Sequence, residues 1–188
     1  TAIGPGGPSA PGTVTVTVSP PAPVASALTV NVPFDTPTAI DLGAATSGGA
    51  AGVTITRAPA HGTLAVSGLV VTYTPARGYG GEDGFAYAAV NATGTSAPAE
   101  VRIVVASVAP TAATATLTVT VDGSGTIDLA PFITGSLITG VSISVLPAHG
   151  LTDVNGTKVT YTPKSGYFGT DTFTYVAYGN AGTSKSVG

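Results

Sequence analysis

The chain contains no cysteine, methionine or tryptophan, and few of its residues carry charge. Without cysteine, disulfide bonds and thiolate metal sites are excluded. Charged residues make up 8% of the 188 residues and the net charge is −3, whereas about 25% of the residues of a typical soluble domain are charged. A surface with so little charge offers no basic patch for nucleic acid or an anionic membrane. We therefore expect neither partner.

Long apolar runs are also missing. No stretch approaches the ~20 apolar residues of a membrane-spanning helix, so no membrane span is predicted for this segment. The chain is instead rich in glycine, with 26 residues, and proline, with 15. These residues separate short runs of valine, threonine, isoleucine and tyrosine, which favour strands. The pattern predicts an all-β protein without significant helix.

The chain repeats itself at an offset of 88 residues. The repeated motifs are Pro59-Ala60-His61-Gly62 with Pro147-Ala148-His149-Gly150, Tyr73-Thr74-Pro75 with Tyr161-Thr162-Pro163, and Gly94-Thr95-Ser96 with Gly182-Thr183-Ser184. Asp83, Phe85 and Tyr87 likewise return as Asp171, Phe173 and Tyr175. A period this long indicates tandem domains rather than a solenoid, whose shorter units cannot fold alone.

A partial third copy lies at the N-terminus. The alternating residues Val14, Val16 and Val18 match Val101, Ile103 and Val105, which predicts an extra N-terminal strand equivalent to the last strand of a repeat. We therefore divide the chain into residues 1–19, the closing strand of a preceding repeat, residues 20–106 (repeat 1), and residues 107–188 (repeat 2), which lacks its own last strand. The strand-exchange candidates are Thr13, Val14, Thr15, Val16, Thr17 and Val18.

Within the repeats, turn residues separate the predicted strands. Residues 28–32 and 117–121 are predicted as equivalent strands, and Asn155-Gly156 is predicted as the hairpin turn of repeat 2, with both residues at positive φ. Ser67-Gly68 serves in repeat 1. About seven short strands per repeat, with turns every 8–12 residues, are typical of an immunoglobulin-like sandwich.

The combination of Pro-Ala-His-Gly, Tyr-Thr-Pro, Gly-x-Asp-x-Phe-x-Tyr and Gly-Thr-Ser resembles the bacterial Ig-like (cadherin-like) repeats of large secreted or surface adhesins and autotransporter passengers. The resemblance covers nearly the whole chain and implies two tandem Ig-like β-sandwich domains. In that family calcium often lies between repeats. The linkers here, residues 19–23 and 106–110, contain no carboxylate, so the sequence gives calcium only weak support.

The residues predict neither a catalytic site nor a cofactor. His61 and His149 each lie in a turn, and a triad or metal site would need further partners around the imidazole. We interpret both as structural. Asp83 and Asp171 are predicted to cap turns through their side-chain oxygens. A calcium site at Asp83, with Glu82 beside it, is the alternative.

Three functions remain open at this point. The chain is interpreted first as a non-catalytic, extracellular structural or adhesive protein of a bacterial surface or fibre, with an unknown surface ligand. The alternatives are a subunit of an extracellular filament assembled head-to-tail by β-strand exchange, and an accessory module of a secreted enzyme. The partner strand for repeat 2 comes either from another copy of the chain or from neighbouring repeats of one longer array.

Overall fold

The computed structural model describes residues 3–8 and 10–188, and these residues form strands joined by turns. The chain begins with a hairpin of β1 (Ile3–Gly4) and β2 (Gly7–Pro8). The helical elements of the described part are two 3-10 turns, Gly43–Ala45 and Ala130–Phe132. Over the same residues, no helix has the length and apolarity that would let it span a membrane. The prediction of an all-β chain is confirmed.

Repeat 1 contains ten strands that alternate between inward and outward side chains. They are β3 (Val24–Ala25), β4 (Leu28–Val32), β5 (Thr38–Asp41), β6 (Thr46–Ser47), β7 (Gly52–Arg57), β8 (Gly62–Ser67), β9 (Val70–Pro75), β10 (Gly81–Asn91), β11 (Gly94–Thr95) and β12 (Ala99–Val105).

Two main sheets of repeat 1 enclose one core. The first sheet contains β11, β10, β12 and β4 in that order, with β7 also paired to β10; the second contains β5, β9 and β8, and β3 pairs with β6. Strand β12 lies in the middle of the first sheet, antiparallel to β10 and parallel to β4. Its inward residues Val101, Ile103 and Val105 are buried against Tyr73 and Phe85.

Repeat 2 contains eight strands. They are β13 (Thr111–Ala112), β14 (Gly125–Asp128), β15 (Ile133–Thr134), β16 (Ile138–Val145), β17 (Gly150–Asn155), β18 (Lys158–Pro163), β19 (Thr174–Gly179) and β20 (Gly182–Thr183). The sheets are β16-β19-β20, β14-β18-β17 and β13-β15.

The predicted strand at residues 117–121 was wrong in this chain. The equivalent strand of repeat 1 is β4, which is held by pairing with β12. The described residues of repeat 2 contain no counterpart of most of β12, so residues 117–121 have no ladder to join and form no strand. Residues 169–173 lie outside the strands for the same reason, although their counterparts in repeat 1 begin β10.

The two hairpin turns lie one residue later than predicted. In repeat 2, Asn155 pairs with Lys158, so Gly156 and Thr157 form the turn. Gly156 has a φ of 62°, whereas Asn155 has no positive φ. A single glycine at the first turn position suffices when only that position needs positive φ. Ser67-Gly68 in repeat 1 is displaced in the same way, because Ser67 pairs with Val70.

The predicted N-terminal strand is unpaired in the structure. Residues 10–22 belong to no strand, and Val14, Val16 and Val18 are 85%, 78% and 88% exposed. A strand needs a neighbouring backbone to satisfy its N–H and C=O groups, and no other segment of the described chain pairs with these residues. The alternation that predicts a buried face therefore has nothing to bury it within one chain.

Candidate functional site

Each repeat holds its Pro-Ala-His-Gly turn through one aspartate. In repeat 1 the Asp83 carboxylate accepts hydrogen bonds from the backbone N–H groups of Ala60 and His61, both at 2.9 Å. It also accepts from the Tyr73 hydroxyl and the Gly84 N–H, both at 2.8 Å. With four donors around two oxygens, Asp83 ties the turn before β8 to the start of β10. Its predicted role as a turn cap fits this geometry.

Repeat 2 contains the same arrangement. Asp171 accepts from the N–H groups of Ala148 at 3.0 Å and His149 at 2.8 Å, from the Tyr161 hydroxyl at 2.9 Å and from the Thr172 N–H at 3.0 Å. The duplication indicates that this contact belongs to the fold of each repeat, since both copies make the same local connection.

The electrostatics of the two aspartates follow from these contacts. Burial by itself raises the pKa of the Asp83 carboxyl, but the donors Ala60, Gly84, Tyr73 and His61 outweigh it and hold the pKa below its ordinary value. Burial and the neighbouring Asp171 charge raise the pKa of Tyr161 to about 12. Each tyrosine therefore keeps its proton and donates it to an ionised aspartate at neutral pH.

The histidines face aromatic rings rather than catalytic partners. His61 stacks on Tyr79 with ring centroids 4.2 Å apart, and His149 stacks on Tyr167 at 4.3 Å. Over residues 3–8 and 10–188, no three His, Cys, Asp or Glu side chains lie together as a metal site would require. Glu82 forms an ion pair with Arg102. The arrangement offers a braced turn and no nucleophile–base pair.

A second polar cluster joins the two repeats. The Asn180 amide donates to the Gly80 carbonyl at 2.7 Å and to the Ser107 hydroxyl at 3.2 Å, so the β19–β20 turn of repeat 2 contacts both repeat 1 and the linker. The Leu137 N–H donates to the Gly78 carbonyl at 2.8 Å, although Leu137 needs a φ of 45° that disfavours a branched side chain.

Ser136 lies at the centre of this joint and is fully buried. Its hydroxyl accepts from the Val108 N–H at 2.8 Å and lies 3.0 Å from the oxygens of Val108 and Asn180. Gly80 is closely packed beside it, because an added Cβ would come within 2.9 Å of the Ser136 Cβ. The joint is therefore a packed and hydrogen-bonded contact rather than a free linker.

The head of repeat 1 holds its own linker in a similar way. The Asn91 amide donates to the carbonyls of Pro21 at 2.9 Å and Gly48 at 2.7 Å, and the Thr93 hydroxyl donates to the Pro20 carbonyl at 2.8 Å. The proline-rich linker at residues 19–23 is thus fixed against repeat 1, as residues 106–110 are fixed against repeat 2.

The largest concave surface of repeat 2 is an apolar groove of about 470 Å³. Its walls are residues 115–121 on one side and 167–173 on the other, with Tyr175 and Leu129 also among the residues that line it. In repeat 1 the equivalent segments are separated by β12, which pairs with both of them. The groove of repeat 2 therefore occupies the place of that strand.

The sequence candidates Thr13, Val14, Thr15, Val16, Thr17 and Val18 lie outside this groove. All six are exposed, and the structure brings none of them to repeat 2 of the same chain. No finding tests their proposed exchange, which stays a prediction. Only their alternation and their match to β12 point to it.

Sequence reasoning missed the joint residues and one further aspartate pair. Asp35 and Asp122, both at positive φ, accept the N–H groups of Gly78 at 2.7 Å and Gly166 at 2.8 Å. Their offset is 87 rather than 88, because repeat 2 has one residue more after β15. Allowing that shift would reveal the aspartates, whereas Ser136 has no repeated counterpart to signal its role.

Comparisons with known proteins bear on the fold. The model of the bacterial Ig domain family matches residues 20–104 and again residues 107–187. No curated protein sequence matches the chain.

Among solved structures, an endo-fucoidan hydrolase from glycoside hydrolase family 107 is similar at 15% identity and a TM-score of 0.43, over 90% of this chain and 29% of that one. The SGBP-B protein of the Bacteroides ovatus mixed-linkage glucan utilization locus, solved with a mixed-linkage heptasaccharide, is similar at 14% identity and a TM-score of 0.28, over 95% and 45%. This chain thus spans less than half of either structure. From the two successive family matches and the strand architecture, the chain belongs to the bacterial Ig domain family, with two members in tandem.

Proposed function

We propose that the chain is a non-catalytic structural segment of an extracellular bacterial surface or fibre protein, in which tandem Ig-like repeats hold a set distance and direction. The observation that carries this proposal is the joint. A flexible tether would need no buried hydroxyl and no backbone contacts between domains, and rigid-body freedom is the default for small polar interfaces. Ser136 and Asn180 instead connect both repeats and their linker.

The braced turns support the same role. Asp83 and Asp171 make duplicated structural contacts, and each accepts four hydrogen bonds from its own repeat. Carboxylate oxygens occupied in this way are poor ligands for calcium, which requires several free oxygen atoms. We therefore propose that the segment acts without metal or cofactor.

The rigidity of the joint is testable by distance measurements between the repeats. The absence of cysteine allows spin labels at Thr63→Cys and Asp153→Cys, both on exposed strand residues. We expect pulsed electron resonance to give one narrow distance distribution. Replacing Asn180 by Ala should broaden it, because the contacts to Gly80 and Ser107 are lost.

Asn91→Ala is the matched control. Asn91 also holds a linker, but at the far end of repeat 1, so the distribution between the labels should stay narrow. A broad distribution in the parent chain would contradict the rigid-spacer function.

A further inference from the structure

We infer that the groove of repeat 2 binds residues 14–18 of a second copy of this chain as a β-strand, so that copies join head-to-tail. This inference goes beyond the spacer function, which concerns the joint inside one chain. Loss of either leaves the other intact.

Repeat 1 shows how such a strand would fit. In β12 the inward residues Val101, Ile103 and Val105 are at most 1% exposed, and they pack between the two sheets. The outward residues Glu100 and Arg102 are exposed. A strand that fills the equivalent place in repeat 2 therefore needs small branched apolar residues at alternate positions.

Repeat 2 supplies the beginning of that strand and then stops. Val187 pairs with Tyr175 as Ala99 pairs with Tyr87 in repeat 1, and Gly188 lies beside Thr174. Five further positions of the ladder remain open, opposite residues 169–173. These are the positions that Val101 to Val105 take in repeat 1.

The N-terminal segment has the required pattern. Val14, Val16 and Val18 alternate with threonines, and the three valines are the most exposed branched apolar residues of the described chain. Exposed alternating apolar residues without a partner strand readily pair with another sheet edge. Addition of such a strand is an established way in which proteins bind extended segments.

The linker has the length that the assembly requires. Five residues, 106–110, connect β12 to β13, and five residues, 19–23, connect Val18 to β3. Both linkers also meet their repeat at a glycine of positive φ. An added Cβ on Gly48 would come within 2.2 Å of the Ala22 carbonyl oxygen, and one on Gly135 within 3.1 Å of the Ala109 carbonyl oxygen. A strand at residues 14–18 is therefore placed before repeat 1 as β12 is placed before repeat 2.

The surfaces that would meet between copies are complementary in size. Inside the chain, the small Gly80 packs on the larger Ser136. At the free end of repeat 2, Phe168 takes the place of Gly80 and is 83% exposed. At the head of repeat 1, Gly49 takes the place of Ser136, and an added Cβ there would meet only the Pro20 side chain, at 3.9 Å. The large residue thus faces the roomier head, which favours a second copy as the occupant.

The register follows from repeat 1. Phe85 pairs with Val101 and Gly81 with Val105, so we expect Phe173 opposite Val14 and Gly169 opposite Val18. The same strand would run parallel to residues 115–119, as β12 runs parallel to β4. Because the contact joins unlike ends, it does not close and builds a fibre.

Assembly of the full chain tests the inference. At rising concentration, sedimentation and electron microscopy should show head-to-tail multimers and fibres rather than an 18.1 kDa monomer. Val16→Asp should abolish them, because its carboxylate would enter the apolar groove. Thr15→Asp is the matched control, since its side chain faces outward and assembly should persist.

A self-complemented chain provides the second test. Adding Val-Thr-Val-Thr-Val after Gly188 continues the ladder that Val187 begins, so this extended chain should be monomeric and its repeat 2 should melt at a higher temperature. Mixed with the Val16→Asp chain, it should form a one-to-one complex that grows no further, because one partner keeps only the donor strand and the other only the groove.

A parent chain that stays monomeric at every concentration would overturn the inference. Fibres that persist in the Val16→Asp chain, or in the extended chain, would overturn it as well, since both changes remove the exchange and leave the inter-repeat joint untouched.

Discussion

Replacing Phe85 by Ala is expected to lower the free energy of unfolding of repeat 1 by about 3–5 kcal/mol. Phe85 is fully buried, and it packs in a cluster that contains residues of both sheets, including Val101 of β12. Its loss removes a large apolar surface and leaves a cavity in a closed sandwich. Urea unfolding followed through the amide NMR signals of repeat 1 measures the change.

Phe173→Ala is the matched substitution in repeat 2 and should cost clearly less. Phe173 is only half-buried, because it lines the open groove. In the chain extended after Gly188, the same substitution should approach the cost measured for Phe85. Equal costs in the unextended chain would show that repeat 2 already has a closed core.

Replacing Asp83 by Ala is expected to destabilise repeat 1 by about 2–4 kcal/mol. Hydrogen bonds to a charged group contribute about 1.5–3 kcal/mol each, but the partial exposure of this site reduces their sum. Four donors, including the buried Tyr73, lose their acceptor. Asp41→Ala is the control, since Asp41 accepts one hydrogen bond, from the Gly43 N–H, and should cost about 1 kcal/mol or less.

The Asp83 contribution should also depend on pH. The folded-state pKa of Asp83 lies below its ordinary value, so the ionised carboxylate stabilises the fold at pH above about 3.9, the ordinary value. That contribution is lost as the pH falls through the depressed pKa. Unfolding measured from pH 7 to pH 2 should show the difference between the parent and Asp83→Ala shrinking. A constant difference would contradict the assigned charge state.

The sequence predicts the repeat architecture well because both of its signals are local. Alternating apolar residues and turn glycines determine strands such as Leu28–Val32, which lies where it was expected. The second copy of each motif then shows that the pattern is a domain. The two repeats and their family are confirmed by successive family matches.

The errors have a common physical origin, which is pairing between distant segments. Residues 117–121 have the composition of a strand, yet a strand also needs a neighbour in the sheet, and sequence composition does not show which neighbour is present. The inter-repeat joint was missed for the same reason. Ser136 and Asn180 are ordinary loop residues until the fold brings them to Val108 and Gly80.

The duplicated aspartates show an intermediate case. The recurrence of Asp83 and Asp171 predicts a structural role at a turn, and the geometry agrees with it. The donors are separated from the aspartates by more than 20 residues in the chain, so their identity follows only from the fold. A repeated residue thus signals a role before its partners are known.

Amide hydrogen exchange at residues 169–173 tests the central claim most directly, because these backbone groups face the open ladder of repeat 2. We expect them to exchange rapidly in dilute monomer and to become protected in the assembled state. Residues 81–85, already paired with β12, should be protected in both states. Protection of residues 169–173 in the monomer, or rapid exchange of these residues in fibres, would contradict the account.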